Sequence, residues 1–445
     1  MQSVLDSISS LPVPDGLIYV GYSGGIDSQV LLHSLAMHPV LKHKLVAVHV
    51  HHGLQTIADQ WVIFCEQQCF NLAIPFRLVK VDARPRVGQS LEEAARLARY
   101  AVFDQLLTAQ DYLLFAHHQE DQLETFLLQL VRGAGVKGLS AMPGCSVLGA
   151  GRLIRPFLDL PKAHILNYAQ QHELSWVEDP TNQEDRFDRN WLRQRILPLL
   201  THRWPSVAKT VARSAQHCAD ASCFIDEWVA MQLPTILDHD GGLLIEPWQL
   251  FSREQGVQLL RYWLMTYLAR PPSNTMIAVI INQVINARHD AQSVVEAESF
   301  KIRKFRHKLF CLSAKQWQPF VSHLNWSNKQ VKLDLQNGYF LSFELANQGI
   351  DRCLWETQEI TVKPRIGGEK LRLPKRQGQH CLKKLYQEAG VSPWLREQIP
   401  LIYLNDKLAA VPGLWVDQWA LAKPETDAYQ IVLNLNSGME VGETQ

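Results

Sequence analysis

Residues 17–28 read LIYVGYSGGIDS. An apolar run suited to a strand buried on both faces stops at two adjacent glycines. QVLLHSL then follows with helical spacing. A strand, a glycine turn and a helix start leave few options. Glycine lets the backbone turn so that successive N–H groups point inward, and the helix start adds partial positive charge. Such a turn cradles an anion. It lacks the lysine of the G-x-x-x-x-G-K-[ST] phosphate loop. An aspartate inside a phosphate cradle makes sense if it meets the phosphates through Mg²⁺. Ser23, Gly24, Gly25, Ile26, Asp27 and Ser28 are therefore expected to hold the phosphates of a nucleotide, with Asp27 as the Mg²⁺ residue. The bland alternative is an ordinary glycine turn; the complete S-G-G-x-D-S pattern behind a first strand favours the nucleotide.

The surrounding chain alternates. Residues 18–22, 45–50, 76–81 and 112–116 read as strands. Residues 29–37 and 58–70 read as helices, as does a run to about 107 opened by the capping box Ser90-Leu91-Glu92-Glu93. Apolar strands alternating with helices predict an α/β fold: a parallel sheet with helices on both faces. Ligands of such sheets sit beyond the strand C-terminal ends, at loops 23–28, 51–56 and 117–121. From about 213 the texture changes. Residues 214–234 and 254–268 look helical, and 300–312 (FKIRKFRHKLFCL) look like β structure with a basic face. Beyond about 325 come short alternating runs with Gly and Pro, and the tail from 424 is expected to fray. A chain of 445 residues is too long for one core. Three domains are expected: 1–212, a mainly helical 213–325, and a small β-rich α+β C-terminal domain at 326–445.

Lys+Arg and Asp+Glu both total 44, so net charge points to no partner. One local excess stands out. Residues 362–384 carry Lys363, Arg365, Lys370, Arg372, Lys375, Arg376, Lys383 and Lys384 against Glu369 alone, with Tyr386 and Trp394 nearby. A basic stretch with aromatics suggests RNA-backbone binding. The start, MQSVLDSISSLPVP, is neither basic nor continuously apolar, and no run approaches the ~18 apolar residues of a membrane span. The eight cysteines have no metal-site spacing. A cytoplasmic protein with reduced thiols and no membrane partner is expected.

The second chemical stretch is AHHQEDQLETFL, residues 116–127. Leu123, Phe126, Leu127 and Leu130 form a core stripe, leaving Asp121, Glu124 and Thr125 off it. His117 and His118 precede the helix, and His49, His51 and His52 lie at another strand end. Zinc is the rival reading, but no H-x-x-x-H spacing fixes ligands on one face. SGGIDS resembles the pyrophosphate loop of the ATP pyrophosphatases. With VHVHHGL, SLEEAARLARY, AHHQEDQLETFL, VRGAGVKGLSAM, RLIRPFL and EDPTNQEDRFDRNWLRQRILPLL in order, the chain resembles the tRNA(Ile)-lysidine synthetase family. RIGGEKLRLP, KKLYQEAGVSPWLREQIPLIY and VPGLWV resemble that family's C-terminal domain. Glu120 stands where an aspartate is common, and Gln55 where an arginine is common.

The resemblance implies a reaction. The wobble cytidine of an isoleucine tRNA with a CAU anticodon is adenylated by ATP, releasing pyrophosphate; free L-lysine then displaces AMP to give lysidine. It implies ATP and Mg²⁺, Asp27, Asp121 and Glu124 as catalytic residues, and His52 with the loop at ATP. Arg96, Arg99, Arg132, Arg189 and Arg193 are expected at ATP or RNA phosphates. Arg365, Lys370, Arg372, Lys383, Lys384, Trp394 and Arg396 are expected to bind the tRNA body. Monomer and homodimer both stay open.

Overall fold

The fold is that of a computed structural model describing residues 3–435, apart from 54–57, 86–90, 181–183, 185–186, 240, 269–270, 288–293, 298–299, 314–318 and 425. The capping serine Ser90, Gln55 and residues 436–445 lie outside the described residues; the tail expected to fray from 424 instead holds a paired strand, Ala428–Leu435. The chain divides into two compact units, Met1–Glu227 and Trp228–Thr444.

In the first unit, α1 (Val4–Ser9) precedes β1 (Ile18–Gly21), α2 (Ile26–Ala36), β2 (Leu45–His51), α3 (Ala58–Asn71), β3 (Phe76–Lys80), α4 (Leu91–Leu106), β4 (Tyr112–Leu114) and α5 (Gln119–Val131). Then come α6 (Val136–Leu139), β5 (Cys145–Leu148), β6 (Gly151–Ile154), α7 (Lys162–Gln171), α8 (Asp188–Trp191), α9 (Leu197–Arg203) and α10 (Val207–Gln232). The sheet order is β3-β2-β1-β4-β6-β5. All neighbours run parallel except β5, which pairs antiparallel with β6. Side chains alternate across it as strand geometry requires. Ile18 and Val20 enter one core with Leu31, Leu32, Cys65, Cys69 and Ile165; Tyr19 enters the other with Val48, Phe103, Phe115 and Leu153. Both faces are covered, as the strand patterning predicts. The β5–β6 hairpin was not foreseen.

The second unit opens with β7 (Leu243–Leu244), α11 (Ile245–Gln249), α12 (Arg253–Met265), α13 (Asn274–Ile280), β8 (Val294–Glu296), β9 (Phe300–Phe305) and β10 (Lys308–Ser313). Its first sheet is β7-β10-β9-β8, so helices flank a small antiparallel sheet. Arg306 and His307, at φ 47° and 64°, make the two-residue turn between β9 and β10. The remainder is β-rich: a five-stranded and a four-stranded antiparallel sheet, a short ribbon of Lys370–Leu371 with His380–Cys381, and helices Leu382–Glu388 and Pro393–Gln398.

Here one expectation is corrected. Trp394 is 6% exposed and packs edge-on against Phe305 and Phe310, at 5.8 and 5.2 Å between ring centres, with Arg303 over its face. It is a core residue of the second unit and offers no face to a nucleobase. Tyr386 is fully buried too. Trp394→Ala is expected to destabilise this unit by about 3–5 kcal/mol, the usual cost of emptying a buried aromatic site. Urea unfolding followed by fluorescence measures it. Among the described residues, no helix is long and apolar enough to cross a membrane.

Candidate active site

The turn after β1 has the geometry of a cradle. Gly24 sits at φ +84°, where an added Cβ would lie 2.9 Å from Cys65 Sγ and 3.0 Å from Val177 Cγ2. Its carbonyl accepts from the Val177 N–H at 3.0 Å. The serines brace the turn internally. Ser28 Oγ lies 3.1 Å from Ser23 Oγ and donates to the Gly25 carbonyl at 2.9 Å. Beneath the turn, Tyr22 hydrogen-bonds Gln29 and His49 Nδ1 contacts the Tyr22 carbonyl. α2 starts at Ile26 without a side-chain cap, so its first N–H groups lack intrahelical acceptors and face the turn. Gly24→Ala is expected to weaken nucleotide binding at least tenfold, since the left-handed φ and both close contacts oppose any side chain. Calorimetric titration with a non-hydrolysable nucleotide measures it.

Asp27 projects from the first turn of α2. Its Oδ1 is buried and has no hydrogen-bond partner; His118 Nε2 lies 3.8 Å away. Burial raises its pKa, opposed by the charges of His118 and Lys162. A lone buried carboxylate oxygen facing a phosphate cradle fits Mg²⁺, which takes one or two protein carboxylates and completes its shell with phosphates and water.

His118 connects the two acidic motifs. Nδ1 lies 3.1 Å from Glu120 Oε2, and Nε2 lies 3.5 Å from Asp121 Oδ2. Burial alone would lower its pKa; Glu120, Asp121 and Asp27 together raise it. Glu120 also accepts from the Lys162 backbone N–H at 2.9 Å, tying His118 to the start of α7. From that helix start the charge of Lys162 opposes the burial of Asp27.

Asp121 and Glu124 are clamped by arginines. Arg189 donates to Asp121 Oδ1 at 2.8 Å and to Glu124 Oε2 at 2.7 Å. Arg193 donates to both oxygens of Glu124, at 2.6 and 2.9 Å. Glu124 is 1% exposed. Residues 192–196, between α8 and α9, form one π turn, a feature that recurs at functional sites. Desolvation pushes the Asp121 pKa up, but His118 and Arg189 outweigh it and hold it at about 2.

The sequence expectations divide accordingly. Asp27, Asp121, Glu124, Arg189 and Arg193 come together, with both oxygens of Glu124 already engaged. Asp121 is engaged at both oxygens too, by Arg189 at 2.8 Å and by the His118 backbone N–H at 3.0 Å. Arg132 is elsewhere, paired with Asp188 at 3.9 Å on the surface. Arg96 and Arg99 lie on α4, over the rings of Tyr100 and Phe115, and His52 lies beside Arg99. In the second unit, Lys370, Arg372, Lys383 and Lys384 are exposed. Arg365 rests over Tyr386, and Arg396 donates to the Val391 carbonyl at 2.8 Å, so both are held internally. Lys162 escaped the sequence reading because a lone lysine at a helix start carries no pattern.

Family profiles match three stretches: a PP-loop domain at residues 2–200, a TilS substrate binding domain at 243–310, and a TilS substrate C-terminal domain at 360–433. Among curated relatives, the tRNA(Ile)-lysidine synthase of Legionella pneumophila (strain Lens) is 39% identical, across 94% of this chain and 95% of that protein. Those of Coxiella burnetii and Serratia proteamaculans are 41% and 40% identical, across 91% and 90% of this chain and 90% and 92% of theirs.

Proposed function

Because this chain belongs to the tRNA(Ile)-lysidine synthase family, we propose that it joins free L-lysine to the wobble cytidine of a CAU-anticodon isoleucine tRNA, consuming ATP through an adenylated cytidine. Residues 1–212 carry the chemistry, 213–325 form the middle domain, and 326–445 grip the tRNA body. One observation supports the site assignment most: a bare carboxylate oxygen on Asp27 and the ionised Asp121 flank a single buried imidazole.

The base oxygen of the cytidine attacks the ATP α-phosphate, and pyrophosphate leaves. Backbone N–H groups of residues 23–28 hold the departing phosphates, and Lys162 adds positive charge. Mg²⁺ held by Asp27 would offset charge on the phosphates when bound. Attack on the α-phosphate explains why the turn itself needs no lysine at the γ-phosphate.

Lysine must then react as a neutral amine. With a free pKa of about 10.4, losing a proton at pH 7 costs roughly 4–5 kcal/mol. Asp121, held at about 2, is a poor proton acceptor. Its role is to seat the ε-ammonium at the reacting carbon, where burial works against the Asp121 charge to lower the ammonium pKa, and one proton passes to solvent water before the amine attacks. The amine adds, AMP departs, and the new base pairs with A instead of G. Lys370, Arg372, Lys383 and Lys384 supply sequence-independent attraction to the RNA backbone.

The decisive assay combines the protein, ATP, Mg²⁺, labelled lysine and the CAU isoleucine transcript, and reads pyrophosphate and label in RNA. Both should appear and depend on the transcript. Pyrophosphate without label would reveal a different nucleophile, and neither product would refute the assignment. Asp121→Asn is expected to raise the lysine KM at least about tenfold while pyrophosphate release stays within about twofold. Equal loss of both steps would remove that role.

A further inference from the structure

A second cluster of side chains lies beside the site, at the C-terminal ends of β4 and β6. It is built on the edge-to-face pair Tyr100 and Phe115, 5.8 Å apart. Arg99 lies over the Phe115 ring at 5.4 Å and Arg96 over Tyr100 at 5.5 Å. Arg155, 7% exposed, reaches the Tyr100 hydroxyl at 3.4 Å and donates to the Pro143 carbonyl at 2.7 Å. His117 meets the Phe115 ring edge-on at 5.6 Å. Among the described residues, none of these three arginines has a carboxylate partner. Moreover, Arg99 Nε, Arg155 Nε, His117 Nδ1 and His52 Nδ1 are all buried without a hydrogen-bond partner.

Buried guanidinium donors with no acceptor are costly unless a ligand supplies one. Three guanidiniums gathered without an acid select an oxyanion, which arginine binds in a fork. We propose that Arg99, Arg155, His117 and His52, with Arg96 at the rim, form an oxyanion subsite that holds the α-carboxylate of free lysine. The choice of lysine rests on the function proposed above. Its reach supports it. His117 belongs to this cluster and the next residue, His118, touches Asp121; consecutive Cα atoms lie about 3.8 Å apart. Lysine carries its carboxylate and ε-ammonium on a five-carbon chain, and the two subsites of opposite charge lie side by side. Burial first, helped by Arg155 and Arg99 at His117 and by Arg99 at His52, pushes these imidazoles down, to about 3 and about 4, so both stay neutral near the guanidiniums.

Cadaverine, which is lysine without its carboxylate, tests this. With the full-length protein, ATP and transcript, kcat/KM is measured for lysine and for cadaverine, and lysine binding is measured separately by calorimetry. The wild-type preference for lysine should be at least about 100-fold. In Arg99→Ala, and in the milder Arg99→Lys as a check on folding, that preference should fall tenfold or more and about threefold, with the KM for tRNA unchanged. If the preference holds while the tRNA KM rises, the subsite takes an RNA phosphate and lysine is overturned as its occupant. If neither moves, no oxyanion subsite exists. Absence of lysine transfer by the wild type would instead defeat the functional assignment, while calorimetry still reads the subsite.

Discussion

Asp27→Asn is expected to cut ATP-dependent pyrophosphate release by about 10³-fold, equivalent to about 4 kcal/mol of transition-state stabilisation. The substitution is nearly isosteric, so the turn should keep its shape. Only the charge changes. Asp27 Oδ1 is buried with no hydrogen bond to lose, so the variant should fold with an unfolding midpoint within a few degrees of the wild type. What it loses is the single carboxylate at the phosphate cradle, and a neutral amide is a far weaker partner for a hard cation. A pH profile separates this from a structural effect. Burial raises the Asp27 pKa above its ordinary 3.8, so the wild-type rate should fall as pH drops through that raised value. The residual rate of Asp27→Asn should lack that acid limb. A stopped-flow pyrophosphate assay from about pH 4 to 8 reads both, and wild-type-like release at pH 7 would refute the role of Asp27.

The fold and the turn were legible in the sequence for a shared reason. A strand buried on both faces must be apolar throughout, and a backbone at φ +84° packed against Cys65 must be glycine. Both demands act on neighbouring residues, so they leave local patterns. The rest is set by contacts between distant positions. Glu124 meets Arg189 and Arg193 across 65 and 69 positions, and nothing near Glu124 foretells that its oxygens are already taken. The charge of Lys162 acts on Asp27 from a helix that lies far along the chain. Trp394 sits in a run of basic and aromatic residues that reads as an RNA surface; the hairpin of Phe305 and Phe310 that covers it lies some 85 residues upstream. The four-residue strands β5 and β6 are too short for alternation to show.

Glu124→Gln should have the second large effect, on stability and activity together. Both arginines bond Glu124 through their Nε atoms, at 2.7 and 2.6 Å. Removing its charge takes from two part-buried guanidiniums a carboxylate that both bond. Breaking one partner of such a pair typically costs about 3–5 kcal/mol. An unfolding free energy lower by about 3 kcal/mol is therefore expected in urea. Asp121 should suffer next. Arg189 already bonds its Oδ1 at 2.8 Å, and Arg193 lies 3.6 Å away and would turn to it. A second full guanidinium bond would compete harder for Asp121 than the 3.6 Å contact of the wild type, so the lysine KM should rise more than tenfold, although Glu124 touches no substrate. A purely structural residue would lower stability without that KM change. The double variant Glu124→Gln with Arg193→Gln gives the sharper comparison. Removing the displaced cation should restore part of the lysine KM and show a coupling of at least about 1.5 kcal/mol, within the range for residues in one ionic network. Additive effects on both readouts would show that the arginines and Glu124 act independently, and the clamp would then have no part in lysine binding.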